Sequence, residues 1–340
     1  MTMPFRRFGE LPIPVPTLER RYGLMAETLR FETNDPALVA AADASFGRFA
    51  VPVDGREPLV VSLFTERGRA GSPGSDDDAW TITEVVNRMY GSRYVTTGGS
   101  RDVSVSDVDA GIAVGFVSPA TARDAATVRY SFLEGMALSL LPRGRGYLVL
   151  HAAGVVWGDS GIVISGRAGA GKSTLAMACA RRGFGVFAED AVFARARSTT
   201  LELWGIPWVQ RLLPDAAALF PELSEIPPRR QPNGETKLEV DLDRVQPGRA
   251  VPCAMAGPIL LLARDTGGPT RIEPVEDATA HDALEIHWPW DGGWSAQHDH
   301  AAELLARRSV HRLHMNGTPD DAVDAIERLM EGPAGSIAVR

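Results

Sequence analysis

Lysine is almost absent from this chain. Of the 35 basic residues in 340, only Lys172 and Lys237 are lysine and the remaining 33 are arginine. The sequence therefore writes arginine wherever a surface charge suffices, and the two exceptions ask for a specific reason. An ammonium is a compact point charge that sits among phosphate oxygens, whereas guanidinium is a wide planar fork. Cysteine is scarce as well: Cys179 and Cys253 are 74 positions apart, which supplies neither a disulfide framework nor a metal-ligand spacing. No apolar run reaches the roughly 18 residues of a spanning helix, and the polar opening Met1 to Gly9 does not read as a signal peptide. A cytoplasmic protein is expected. A cationic half is missing too, with 12 basic against 16 acidic residues in 1–120 and 23 against 27 in 121–340, within a net charge of −8. Neither part offers a surface for a nucleic-acid backbone or an anionic membrane, so neither partner is expected.

With 44% hydrophobic residues and roughly 100–200 residues per domain, the length predicts two domains. Residues 1–120 read as a small α+β domain, with a strand at Leu59 to Phe64, further strands between Trp80 and Val117, and a charged turn-rich loop from Arg67 to Asp78. Residues 121–144 read as a linking helix, because Ala122, Ala125, Val128, Phe132, Met136 and Leu140 recur at helical spacing before Pro142-Arg143-Gly144. Residues 145–340 then read as an α/β domain: strands Tyr147–Leu150, Gly154–Trp157 and Gly161–Ile164, a glycine-rich loop, a helix to Arg182 and a strand Phe184–Phe187. Later strands are expected at Leu201–Trp204, Lys237–Val240 and Ile259–Leu262, with a closing amphipathic helix from Asp320 to Met330.

The loop carries the chemistry. Gly166-Arg-Ala-Gly-Ala-Gly171-Lys172-Ser173 fits G-x-x-x-x-G-K-[ST] at every fixed position, between an apolar strand and a helix. Glycines let backbone N–H groups turn inward around phosphate oxygens, and the helix N-terminus adds partial positive charge. Gly166, Ala168, Gly169, Ala170, Gly171, Lys172, Ser173 and Thr174 are thus the expected nucleotide-binding residues. Lys172 is expected on the β- and γ-phosphates of ATP, and Ser173 on Mg²⁺. A motor-type magnesium aspartate has one candidate, Asp265, which Ala263-Arg264 separates from its apolar strand. The pair Glu189-Asp190 is closer, after the strand that follows the helix. At the carboxyl edge of a parallel strand, one carboxylate can hold Mg²⁺, with Asp190 joining Ser173, while the other takes a proton from an attacking hydroxyl. His151 follows the apolar strand Tyr147–Leu150, 15 residues before Gly166, and on its own a lone histidine there is more simply structural.

Together, Leu150-His151-Ala152-Ala153-Gly154-Val155-Val156, Ser165 to Leu175 around the loop, and Arg182-Gly183-Phe184-Gly185-Val186-Phe187-Ala188-Glu189-Asp190 resemble the catalytic domain of the HPr serine kinase/phosphorylase family. The resemblance covers about residues 145–195, and more faintly the chain to about 265. It implies a P-loop kinase fold related to phosphoenolpyruvate carboxykinase, with His151 and the pair Glu189-Asp190 serving phosphoryl transfer to a serine hydroxyl. Three departures stand out: Glu189 occurs where the family usually has aspartate, the glycine-rich segment of the bifunctional enzymes is missing, and residues 1–120 do not resemble their regulatory domain. The chain looks more like the related proteins of natural-product clusters, including those that phosphorylate lasso-peptide precursors.

Lys237 opens the alternating run Lys237-Leu238-Glu239-Val240-Asp241-Leu242. The related kinases also carry a basic residue before a strand at this point. Lys237 is expected to offset charge on the transferred phosphoryl group. Arg211, Arg229 and Arg230 either hold a peptide or phosphate or are simply solvated, which is the default in so arginine-rich a chain. From His281 to His300 four histidines accompany Trp288, Trp290 and Trp294. Their spacing fits no compact metal motif and reads more simply as a core cap or an apolar platform. The leading expectation is an ATP- and Mg²⁺-dependent serine or threonine kinase acting on a peptide or small protein, self-association being left open. Its alternative is a non-catalytic ATP-binding sensor or peptide-binding partner. Residues 1–120, which carry no chemical motif, are expected to recognise the acceptor.

Overall fold

A computed structural model describes residues 14–50, 56–65, 85–99, 102–231, 234–264, 267–275 and 296–332. The chain divides into two compact units, residues 1–140 and 141–340. The expected loop from Arg67 to Asp78, Asp265, and His281, His287, Trp288, Trp290 and Trp294 lie outside the described residues. Among the described residues no helix is long and apolar enough to cross a membrane.

The first unit is built on one mixed sheet of strands β1 (Leu18–Leu24), β2 (Glu27–Thr33), β3 (Leu59–Thr65), β4 (Val86–Tyr90), β5 (Arg93–Gly98), β6 (Asp102–Asp107) and β7 (Ile112–Val117), in the order β1-β2-β3-β7-β6-β5-β4. The helix Pro36–Phe46 joins β2 to its parallel neighbour β3; Asp35 caps its N-terminus by accepting from the Ala37 N–H at 2.8 Å. The expected single helix after residue 120 is instead a series of short helical pieces from Pro119 to Arg145. Ser118 caps the first piece and Asp124 the second, and Val128–Glu134 is wound as a π-helix. A cap inside a periodic apolar run offers backbone N–H groups a competing partner and divides the helix.

In the second unit, β8 (Leu148–Trp157) and β9 (Ser160–Ser165) form a hairpin whose turn includes Gly158. The two short strands expected before Trp157 are one continuous strand. Strands β10 (Gly185–Ala188), β11 (Ala191–Arg197), β12 (Thr200–Trp204), β16 (Cys253–Ala263), β17 (Arg271–Pro274) and β18 (Val310–His314) complete an eight-stranded sheet. Its ladder closes on itself, because β8 pairs with β11, β11 with β12, β12 with β16, β16 with β9 and β9 with β8. Strands β13 (Val209–Leu212), β14 (Pro228–Arg230) and β15 (Thr236–Asp241) form a separate ribbon ordered β13-β15-β14.

Alternation along β8 serves two cores. Ala153 and Val155 face a cluster with Leu175, Ala176 and Cys179 of the helix Lys172–Arg182 and with Val323 and Ile326 of the helix Pro319–Glu331. Leu148, Leu150 and Ala152 face the opposite cluster with Leu304 and Leu305. His151 has the parity of Ala153 and Val155, so it points to the side of the phosphate-loop helix.

Candidate functional site

The end of β9 and the start of the helix Lys172–Arg182 bracket the glycine-rich loop. Gly169 and Gly171 have φ of +77° and +102°, a region that β-carbon sterics close to most other residues. Gly171 is also the residue before the helix, whose first turn receives no side-chain cap, so its leading N–H groups face the loop. Arg264, just past β16, donates from Nε to the Ala170 carbonyl at 3.2 Å and braces the loop from outside.

Lys172 is buried, and its Nζ donates to the Gly166 carbonyl at 2.7 Å and lies 3.1 Å from His151 Nε2. His151 Nδ1 is 3.2 Å from Asp190 Oδ1. An imidazole that accepts from an ammonium at Nε2 carries its proton on Nδ1, toward the carboxylate. Asp190, between β10 and β11, His151 of β8 and Lys172 of the loop thus lie in succession, at 3.2 Å and 3.1 Å.

The acidic pair sits differently from the sequence expectation. Strand β10 runs in the same direction as β9, but antiparallel β8 lies between them. Ala188 is opposite Gly154 and Ala191 opposite His151, so β10 and β11 follow one line along β8. Glu189 and Asp190 occupy the interruption in that line, where the Asp190 carbonyl accepts from the Ala152 N–H at 3.2 Å. Successive residues of an extended chain face opposite ways. Glu189 is accordingly buried, while the Asp190 side chain is about half exposed.

Glu189 accepts the Ser173 hydroxyl at 3.2 Å and lies 3.6 Å from Arg211. Burial pushes its carboxyl up to about 7, against the pull of Arg211; Asp190 adds to the rise, and Lys237 and the Ser173 hydroxyl oppose it. Ser173 thus meets Glu189, while Asp190, expected with Ser173 as a magnesium ligand, faces His151. Lys237 bears on Glu189 by charge, while its Nζ pairs at 3.2 Å with Glu235.

No family profile and no curated protein matches the sequence. Among solved structures the chain is similar to the HPr(Ser) kinase/phosphatase from Coxiella burnetii. The similarity covers 54% of this chain and 99% of that one, at 16% identity and a TM-score of 0.31.

His151, Lys172, Ser173, Glu189 and Asp190 make two adjacent sets, Lys172 with His151 and Asp190, and Ser173 with Glu189. Ala168 and Gly169 form the exposed crown of the loop, and Thr174 lies in the first helical turn. Glu239 and Arg264 join the site without having been singled out for it, and of the three arginines left open between ligand-holding and solvated roles Arg211 is the one that meets Glu189, at 3.6 Å. Arg211 stands opposite Glu239 in the β13–β15 register. His298 is buried with Nδ1 3.5 Å from Asp299, and His300 Nε2 lies 2.6 Å from the Ser198 carbonyl.

Proposed function

We propose that the 141–340 unit is a P-loop phosphotransferase that moves the γ-phosphoryl group of ATP to a serine or threonine hydroxyl of a peptide or small protein. The observation that carries this reading is the Asp190–His151–Lys172 chain. Phosphate binding needs the loop and its lysine, whereas a half-exposed carboxylate backed by an oriented imidazole serves proton transfer. The acceptor class follows the resemblance to the HPr-kinase-related proteins of natural-product clusters, a ribosomal precursor peptide of the lasso type.

The donor set fits Mg²⁺. Ser173 and Glu189 are hard oxygen ligands already 3.2 Å apart, and a cation bound between them would favour the ionised form of the Glu189 carboxyl, which burial pushes up to about 7. Mg²⁺ bound there supplies charge neutralisation at the phosphates. Lys172 and the loop N–H groups bind phosphate oxygens. Asp190 takes the proton of the acceptor hydroxyl as that oxygen forms its bond to phosphorus. The bond from the γ-phosphorus to the bridging oxygen breaks, and its electron pair leaves on ADP. His151 orients Asp190, and Arg211 and Lys237 offset charge on the transferred group.

Incubating the full chain with Mg²⁺ and labelled ATP and a panel of serine peptides, followed by intact mass, tests the reading. Label in a peptide together with release of ADP is expected. Nucleotide that binds and stays intact with every acceptor would favour a sensor instead.

A further inference from the structure

We infer that Arg264 is a positioning residue for nucleotide binding: by holding the Ala170 carbonyl it keeps the Gly171 N–H turned into the phosphate loop. The inference rests on the nucleotide-binding part of the reading above and deepens the account of the same loop. Strand β16 pairs in parallel with β9, Leu260 beside Ile164 and Leu261 beside Ser165, so the segments that follow the two strands emerge on one edge of the sheet. The phosphate loop follows β9, and Arg264 follows β16. Its place is fixed from the far side, because the carbonyl of the preceding Ala263 accepts the Met315 N–H at 2.9 Å just past β18. From that anchor Arg264 Nε donates to the Ala170 carbonyl at 3.2 Å.

The peptide that Arg264 holds is the one in the loop most open to turning over. Rotating the Ala170–Gly171 peptide plane changes ψ of Ala170 and φ of Gly171, and glycine accepts either sign of φ at little cost. The bonds on either side are fixed by the backbone itself: the Ala170 N–H donates to the Arg167 carbonyl at 3.0 Å, and the Gly171 carbonyl accepts the Leu175 N–H at 2.9 Å as the helix begins. Between them no side chain caps the helix, which leaves Arg264 to decide which way the plane faces. A trans peptide points its carbonyl and its N–H in opposite directions. With the carbonyl outward on Arg264 and φ of Gly171 at +102°, the N–H is turned inward as a donor for phosphate oxygens. Turned over, the same peptide would aim a carbonyl oxygen at those anions. Glycine also makes the room for this support, since a β-carbon at position 171 would lie 3.3 Å from Arg264 Nη2 and 3.3 Å from Met315 Cε. Arg264 is exposed, so solvent and salt screen its charge. The hydrogen bond is what it contributes.

Three substitutions in the full chain separate the hydrogen bond from the charge. Glutamine carries Nε2 as many bonds from the backbone as arginine carries Nε, so Arg264→Gln keeps the donor and drops the charge. Arg264→Lys keeps the charge, and Arg264→Met keeps neither. Affinities for ATP, ADP and inorganic tripolyphosphate are measured by isothermal titration, and melting is followed without ligand. We expect Arg264→Met to bind all three about tenfold more weakly, the scale of one hydrogen bond to an anion, and Arg264→Gln to stay within about threefold of the wild type. Ligand-free melting of both variants should match the wild type. Wild-type affinity in Arg264→Met would overturn the inference. So would Arg264→Gln binding as weakly as Arg264→Met while Arg264→Lys holds, which would make Arg264 a charge acting on the phosphates. A fall in ligand-free melting that tracks the lost affinity would overturn it as well, by reducing Arg264 to a brace for the fold. The expected pattern of affinities with no phosphorylation of any peptide would uphold the inference and sink the phosphotransfer reading.

Discussion

At the scale of single residues, the site is a set of pairings, each with its own chemical consequence. Lys172 is held between a carbonyl at 2.7 Å and an imidazole nitrogen at 3.1 Å, a space shaped for an ammonium. Lys172→Arg is therefore expected to lose nucleotide binding despite keeping the charge, as isothermal titration with ATP would register. Asp190→Asn is expected to bind ATP within about an order of magnitude of the wild type while losing about 10²–10⁴-fold in phosphoryl transfer, the usual scale of a general base; single-turnover measurements separate the two. Glu189 carries a pH signature. Its folded carboxyl titrates near 7, against an ordinary 4.5, so between those values the folded state holds a proton that the unfolded state has lost. Stability from this group falls as pH rises through that window, and the full deficit is present above 7. In nucleotide-free and metal-free protein, Glu189→Gln should melt above the wild type at pH 8, with the gap closing toward pH 4.5. A gap of the same size at both ends would show that the carboxyl titrates normally.

At the scale of elements, the acidic pair owes its position to a strand that breaks without leaving its partner. Strands β10 and β11 both follow β8, and the register shifts between Val186 and Ala188 before the interruption. The shift brings the Phe187 ring over Gly154, where an added β-carbon would lie 2.2 Å from Cζ. Gly154→Ala is expected to destabilise the second unit by about 1–3 kcal/mol, the range for overpacking. Reduced transfer should accompany it, because the same ladder sets the reach between His151 and Asp190. Thermal melting with and without nucleotide checks both effects. The helix Lys172–Arg182 is held from its far end as well, where Arg182 meets Asp324 at 2.7 Å and Glu327 at 2.9 Å on the closing helix.

At the scale of the whole molecule, the compact units meet in sequence between Leu140 and Leu141, and every contact of the proposed site lies within the second. A chain starting at Leu141 is expected to keep ATP binding and to lose turnover of the native acceptor, if the first unit positions that acceptor. Nucleotide affinity and peptide turnover measured on the same sample decide it, and undiminished turnover would reduce the first unit to a covering or self-association role.

What could be read without coordinates was local. The glycine-lysine-serine loop, the strand before it and the helix after it are determined by nearest neighbours, since glycine conformations, apolar periodicity and the rarity of lysine are written in consecutive residues. The closing helix and the alternation of β15 were legible for the same reason. Which partners those residues meet was decided by tertiary structure. His151 and Asp190 are 39 positions apart and become neighbours because Ala191 registers against His151. Ser173 meets Glu189 and His151 meets Asp190 because successive residues of an extended chain point to opposite faces, one buried and one exposed. Arg211 became part of the site through its register with Glu239 across the ribbon. A sequence lists which charges exist; ladder register, which depends on long-range pairing and burial, determines which of them meet.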